Sequence, residues 1–173
     1  MDILTTLSIE LGVLLKAHNL KLAVAESCTG GMVAEAVTRV AGSSGWFDCG
    51  FVTYSNQAKI DMLEVLPKTL ETFGAVSEQT AVEMVLGTLK YSRATIAGSI
   101  TGIAGPDGGN AQKPVGTVCF AWGALDQTLR NQTTRNQPAS TTHHFTGDRQ
   151  QIRQQAAAFL MQQLIESLKQ TTH

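Results

Sequence analysis

Apolar residues recur along this chain in two rhythms, one helical and one extended. Over residues 3–17 they fall at Leu4, Leu7, Leu11, Leu14 and Leu15. That spacing of three and four lays them on one face of a helix. His18-Asn19 ends the stripe, and His18 reads as a C-terminal helix residue facing the dipole rather than as a ligand. An apolar run then predicts a strand over 21–26, followed by a turn, Ser27-Cys28-Thr29-Gly30-Gly31, and a helix over 32–40. Gly42-Ser43-Ser44-Gly45 stops that helix. The aromatic and β-branched stretch 46–54 predicts a second strand in its latter half.

Ser55 or Asn56 is placed to cap a short helix running to Glu64; Pro67 breaks it, and a second short helical piece reaches Phe73. Ser77, followed by Glu78, caps a longer helix with Ala81, Val85 and Leu89 on one side. Strands are predicted over 94–100 and 115–125, separated by a glycine-rich loop at 101–109. The polar segment 126–142 reads as a solvated hairpin or loop, and His143-His144-Phe145 as a return to the sheet edge. Gly147-Asp148-Arg149 opens the last helix, whose buried face is Ile152, Ala156, Phe159, Leu160, Leu164 and Leu168. Helices alternating with strands, without repeat or linker, predict a single three-layer α/β/α domain with a central, mostly parallel or mixed sheet. Ser27, Tyr54 and Thr101 fall at strand ends or just after them, where open α/β sheets bind ligands.

Composition narrows the function. With 43% hydrophobic and 16% charged residues among 173, the chain has the material for a real core. A net charge of −1 with scattered Lys and Arg argues against a duplex nucleic-acid surface. No apolar run reaches the ~20 residues that span a bilayer, and the N-terminus reads as the start of an amphipathic helix rather than a signal peptide. Three cysteines without a CxxC pair point to reduced thiols and a cytoplasmic setting. The four histidines have no zinc-finger or HExxH spacing, so no metal site is expected. Trp46 and Phe47 beside a glycine turn suggest an exposed apolar patch and hence a homo-oligomer.

The Ser27 turn has two readings: an ordinary capped strand-to-helix turn, or a nucleophile exposed beside free helix N–H groups. A serine nucleophile needs a base. His143 and His144 lie in a polar stretch; Lys59, in the first turn of its helix, faces the positive dipole end, and partial burial would favour its neutral form further. Tyr54, five residues earlier, is placed to relay a proton or to hold Lys59. Cys28 is a rival nucleophile at the same helix N-terminus. Arg149, at the start of the last helix, suits a phosphate, and equally a surface ion pair with Asp148 or Glu166. The 101–109 loop has no Walker or GxGxxG pattern.

Taken in order, Ala25-Glu26-Ser27-Cys28-Thr29-Gly30-Gly31, Val52-Thr53-Tyr54-Ser55-Asn56 with Lys59, Gly74-Ala75-Val76-Ser77, Thr101-Gly102-Ile103-Ala104-Gly105-Pro106, Lys113-Pro114-Val115-Gly116-Thr117-Val118 and Gly147-Asp148-Arg149 resemble the C-terminal domain of the CinA competence/damage-inducible proteins. That family includes bacterial nicotinamide-nucleotide amidases. The resemblance covers about 20 to 170. It implies an α/β/α fold and hydrolysis of the nicotinamide mononucleotide carboxamide to nicotinate mononucleotide and ammonia. It implies Ser27, Lys59 and Tyr54 as catalytic groups and Thr101 and Arg149 as binding groups. Backbone N–H groups from Cys28 through Thr29 and Gly30 to Gly31 would hold the oxyanion, and those of the glycine loop at Gly102 and Gly105, with Arg149, the phosphate. No cofactor or metal is implied, and the partner is a small nucleotide. The contrasting reading is a non-catalytic nucleotide-binding or regulatory domain that keeps the phosphate groups and need not keep the dyad.

Overall fold

A computed structural model of the chain describes residues 1–126 and 137–170. Six helices and five strands follow in order: α1 (Ile3–Ala17), β1 (Leu22–Glu26), α2 (Met32–Thr38), β2 (Phe47–Val52), α3 (Asn56–Leu63), α4 (Pro67–Phe73), α5 (Glu78–Tyr91), β3 (Ile96–Gly102), β4 (Thr117–Ala124), β5 (Ala139–His144) and α6 (Arg149–Gln170). The sheet order is β2-β1-β3-β4-β5. β1 runs parallel to β2 and β3, while β4 and β5 are antiparallel additions, so the sheet is mixed.

Side-chain alternation sorts the helices onto two faces. Leu22 and Val24 of β1, Ile96 and Ile100 of β3, and Val118 and Phe120 of β4 share a core with Leu160, Met161 and Leu164 of α6. α1 packs beside α6 through Leu4, Leu7, Leu11 and Leu15. The opposite face carries small residues, Ala97, Cys119 and Ala121, under Ala81, Val85 and Leu89 of α5. On that same face Ala25 meets Leu63, Val65 and Met84. α5 approaches the end of α3 so closely that a Cβ on Gly87 would stand 2.1 Å from the Leu63 carbonyl oxygen. That contact seats α3, the helix of Lys59, against the sheet.

Caps follow the residue types. Asp2 caps α1 through Leu4 and Thr5 N–H, Ser55 caps α3 through Ala58 N–H, and Ser77 caps α5 through Thr80 N–H. Several expectations shift. β2 begins at Phe47, earlier than the aromatic pattern suggested, and Tyr54 lies beyond its end. Thr101 and Gly102 belong to β3, not to the loop after it. Of the polar segment, 139–142 is strand, because β5 pairs there with β4; 127–136 lie outside the described residues. Trp46 is 1% exposed and sits over Gly12, so it forms no surface patch.

Candidate active site

Register decides which side chains meet. Glu26 pairs with Val52 on one side and Ile100 on the other, so the three parallel strands end in one row. The next row brings Ser27, Thr53 and Thr101 side by side, tied by Ser27 N–H to the Ile100 carbonyl (3.0 Å) and Thr53 N–H to the Glu26 carbonyl (2.9 Å). Alternation sends Ser27 to the face of Ala25, where α3 packs, and Glu26 to the face of α2.

Lys59 is 1% exposed. Its Nζ donates to Ser27 Oγ at 3.0 Å and to the Thr53 carbonyl at 2.8 Å. Burial pushes its pKa down to about 8, against a smaller opposing pull from Cys28. About a tenth of such lysines are neutral at pH 7, against about one in three thousand at the ordinary value. Once neutral, Nζ keeps one donor for the Thr53 carbonyl and offers its lone pair to the Ser27 hydroxyl, with no heavy atom displaced. Ser55, not Asn56, is the cap, so Lys59 begins the second turn and its own N–H bonds the Ser55 carbonyl at 3.2 Å. Burial, rather than the helix dipole, therefore lowers this pKa.

Ser27 and Lys59 open into a cavity of about 260 Å³, also lined by Tyr54, Thr101, Gly105 and Arg149. Gly102 lines it as well. Thr101 Oγ1 donates to the Ala75 carbonyl at 2.7 Å, which leaves its lone pairs for a ligand. Arg149 spans the cavity wall, donating from Nη1 to the Gly105 carbonyl (2.7 Å) and from Nη2 to Tyr54 Oη (3.0 Å). The alternative reading, an ion pair of Arg149 with Asp148 or Glu166, has no counterpart among the described residues. Tyr54 makes no hydrogen bond to Lys59 among the described residues: it is 62% exposed and its hydroxyl accepts from Arg149, while the Thr53 carbonyl accepts from the lysine.

Residues 4–168 match the CinA C-terminal domain. The chain belongs to this family. A nicotinamide-nucleotide amidohydrolase PncC of Enterobacter agglomerans is 52% identical over 156 residues, 90% of each chain. The protein of that name in Escherichia coli strain K12 is 48% identical over 169 residues, 98% of this chain and 97% of its own. The crystal structure of a competence/damage inducible protein CihA from Agrobacterium tumefaciens superposes with a TM-score of 0.87 at 42% identity, covering 98% and 97% of the two chains.

Within this CinA domain, three expected binding positions stand outside the cavity. Thr29 is fully buried and its hydroxyl donates to Glu26 Oε2 at 2.6 Å. Gly31 N–H also goes to Glu26 (3.2 Å), and Gly30 N–H goes to the Ser27 carbonyl (3.0 Å). The two glycines are needed for their backbone, with φ of +61° and +96°. Glu26 completes the capping of α2 by accepting from Val33 N–H (3.1 Å) and Ala34 N–H (2.9 Å). The Gly30 and Gly31 donors expected for a ligand are therefore taken by the protein's own Ser27 carbonyl and Glu26 carboxylate. Cys28 lines the cavity, but burial pushes its thiol up to about 11, leaving about one in ten thousand ionised at pH 7. His143 and His144 lie on β5, at the far edge of the sheet from β1. Among the described residues no His, Cys, Asp and Glu cluster could hold a metal.

Sequence reasoning passed over Glu26, the Thr53 carbonyl and Arg153. Arg153 Nε donates to the Cys28 carbonyl at 3.1 Å and Nη2 to the Thr29 carbonyl at 2.9 Å. Its helical spacing of four from Arg149 was the available signal.

Proposed function

We propose that this CinA domain hydrolyses the carboxamide of nicotinamide mononucleotide to nicotinate mononucleotide and ammonia through an acyl-enzyme on Ser27. The observation that carries this reading is the buried Lys59 Nζ, 3.0 Å from Ser27 Oγ with a pKa near 8. The substrate comes from the curated relatives' names; the mechanism comes from the site.

Neutral Lys59 takes the Ser27 proton as Oγ adds to the amide carbon. The carbonyl π pair moves to oxygen. Gly30 and Gly31 spend their N–H groups inside the turn and Thr29 is buried away from the cavity, so of the expected donors the N–H of Cys28, which lines the cavity, is left for the oxyanion. Losing one such donor typically costs about 100- to 1000-fold. As the oxyanion collapses, Lys59 returns the proton to departing ammonia. Water then adds to the acyl-enzyme by the same route, and Ser27 is regenerated with release of the carboxylate. The pyridinium ring withdraws electrons and eases attack on this amide. Arg149, its guanidinium steadied by Gly105 and Tyr54, binds the phosphate. A non-catalytic nucleotide-binding role would leave a buried, depressed lysine on a serine hydroxyl without purpose.

Three free cysteines support a reducing, cytoplasmic setting. The proposed protein partner is a second copy of the chain, because β2 is a sheet edge and exposes Val52.

Ammonia release from nicotinamide mononucleotide by the purified chain tests the substrate, and Ser27→Ala beside Cys28→Ala tests the nucleophile. Ser27→Ala should abolish release with the fold intact, while Cys28→Ala should keep most of it. The reverse result would transfer the role to the thiol.

A further inference from the structure

The end of β1 leaves one main-chain donor of β3 without its partner. Ser27 N–H bonds the Ile100 carbonyl at 3.0 Å. In a continued parallel ladder the carbonyl of that same residue would accept from the N–H two positions beyond Ile100, that of Gly102. β1 stops at Glu26, and the Ser27 carbonyl turns instead to Gly30 N–H at 3.0 Å.

Gly102 N–H has no second choice. Successive peptides of a strand point to opposite sides. Ile103 N–H bonds the Thr117 carbonyl at 2.9 Å, and the Ile103 carbonyl accepts from Gly116 N–H at 2.8 Å, both toward the start of β4. Gly102 N–H therefore points the other way, to the side of β1, where it meets no acceptor among the described residues. That side is open: Ser27, Cys28 and Gly102 all line the cavity that holds Lys59. Neighbouring strands lie about 4.8 Å apart, so the vacant acceptor place is beside Ser27. Arg149, proposed for the phosphate, is tied three residues further along, to the Gly105 carbonyl.

We propose that Gly102 N–H is the second donor to the oxyanion, which takes the place that the Ser27 carbonyl of a continued strand would fill. The proposal rests on Ser27 being the nucleophile, and it gives Gly102 a task other than holding phosphate. The Oγ–carbon bond forms, the π pair passes to oxygen, the serine proton goes to Lys59, and the oxyanion accepts from Cys28 N–H and Gly102 N–H. Pairing the N–H of the residue after the nucleophile with one from a neighbouring strand is also how α/β-hydrolases build this site.

A side chain at 102 cannot test this, because its Cβ would stand 2.8 Å from Val118 Cγ2 and 2.9 Å from the Thr117 carbonyl oxygen. Gly102→glycolic acid, introduced by semisynthesis, replaces the amide with an ester and removes the N–H without adding a Cβ. The control is Ile103→2-hydroxy-3-methylpentanoic acid, which removes the next N–H, the one spent on Thr117. Both are compared with the parent on nicotinamide mononucleotide, read as ammonia, and on p-nitrophenyl acetate, read as the acetyl mass on the Ser27 peptide. The ester at 102 should lower kcat about 100- to 1000-fold, hold KM within about twofold, and slow acetylation by a similar factor. The ester at 103 should lower the unfolding midpoint and keep the parent's kcat. An ester at 102 with the parent's kcat, a loss confined to KM, or an equal loss of kcat at 103 overturns the proposal.

If the ester protein does not fold, the parent itself decides. Ethyl p-nitrophenyl methylphosphonate, by losing p-nitrophenolate to Ser27 Oγ, leaves a phosphoryl oxygen where the oxyanion would sit. In protein labelled with 15N-glycine, the Gly102 amide proton should then move downfield; an unmoved Gly102 resonance overturns the proposal. A parent acetylated on Ser27 in a way that needs the Gly102 N–H, yet releasing no ammonia from the nucleotide, rejects the substrate and keeps Gly102. A parent that does neither rejects both.

Discussion

Lys59 ties activity and stability to one ionisation. Replacing it with Met keeps an unbranched side chain one atom shorter and removes the charge. The folded pKa of about 8 lies below the ordinary 10.5 of a lysine. Between those values the unfolded chain binds more protons than the folded one, so stability rises with pH across that window. A shift of this size amounts to roughly 3 kcal/mol, the penalty for keeping a charged lysine buried. The penalty is fully present below pH 8 and is gone above 10.5. Lys59→Met carries no such term, whatever it loses at the Thr53 carbonyl. The parent should therefore gain about 3 kcal/mol on Lys59→Met between pH 7 and 11. Urea unfolding of both proteins at several pH values measures the difference, in which the groups common to both cancel. The same pKa should govern kcat/KM, rising about tenfold per pH unit below 8 and levelling above it. Lys59→Arg should be inactive throughout, because arginine stays protonated. A stability difference that is flat with pH, a flat rate profile from pH 6 to 9, or an active Lys59→Arg would each refute the reasoning.

Arg149→Ala should mainly raise KM for the nucleotide, by about 1.5–3 kcal/mol of lost charged hydrogen bonding, and should act on nicotinamide riboside no worse than the parent does; equal harm to both substrates would detach the arginine from the phosphate. Glu26→Gln turns an amide donor toward the N–H groups of Gly31, Val33 and Ala34, or toward the Thr29 hydroxyl. It should cost about 1–3 kcal/mol, read as a lower midpoint in thermal unfolding; an unchanged midpoint would show that α2 does not need the carboxylate. Light scattering at micromolar concentration should find a multiple of the 18.5 kDa chain, and particles of that mass alone would exclude the oligomer.

Much of the architecture was legible as periodicity. The leucine stripe of α1, the Ser77-Glu78 start of α5, the apolar run of β1 and the long face of α6 are local patterns, and each follows from side-chain spacing and capping chemistry alone. So is the placement of Ser27 at a strand end and of Lys59 near the start of a helix. The motifs also carried the family resemblance, because serial short matches survive without knowledge of contacts. The start of β5 was hidden in a polar stretch, since an edge strand with one solvated face needs no apolar alternation. What a side chain does at the end of a strand depends on strand register and helix packing, which no local pattern encodes. Only the Glu26–Val52–Ile100 row places Thr53 under Lys59, and only burial by α3 and α5 lowers that lysine's pKa. Glu26 and Thr29 were visible as residues but not as partners, because alternation sends Glu26 to the face opposite its neighbour Ser27. Tyr54 and Arg149 lie 95 residues apart in the chain, and their bond exists because α6 begins at the edge where the parallel strands end.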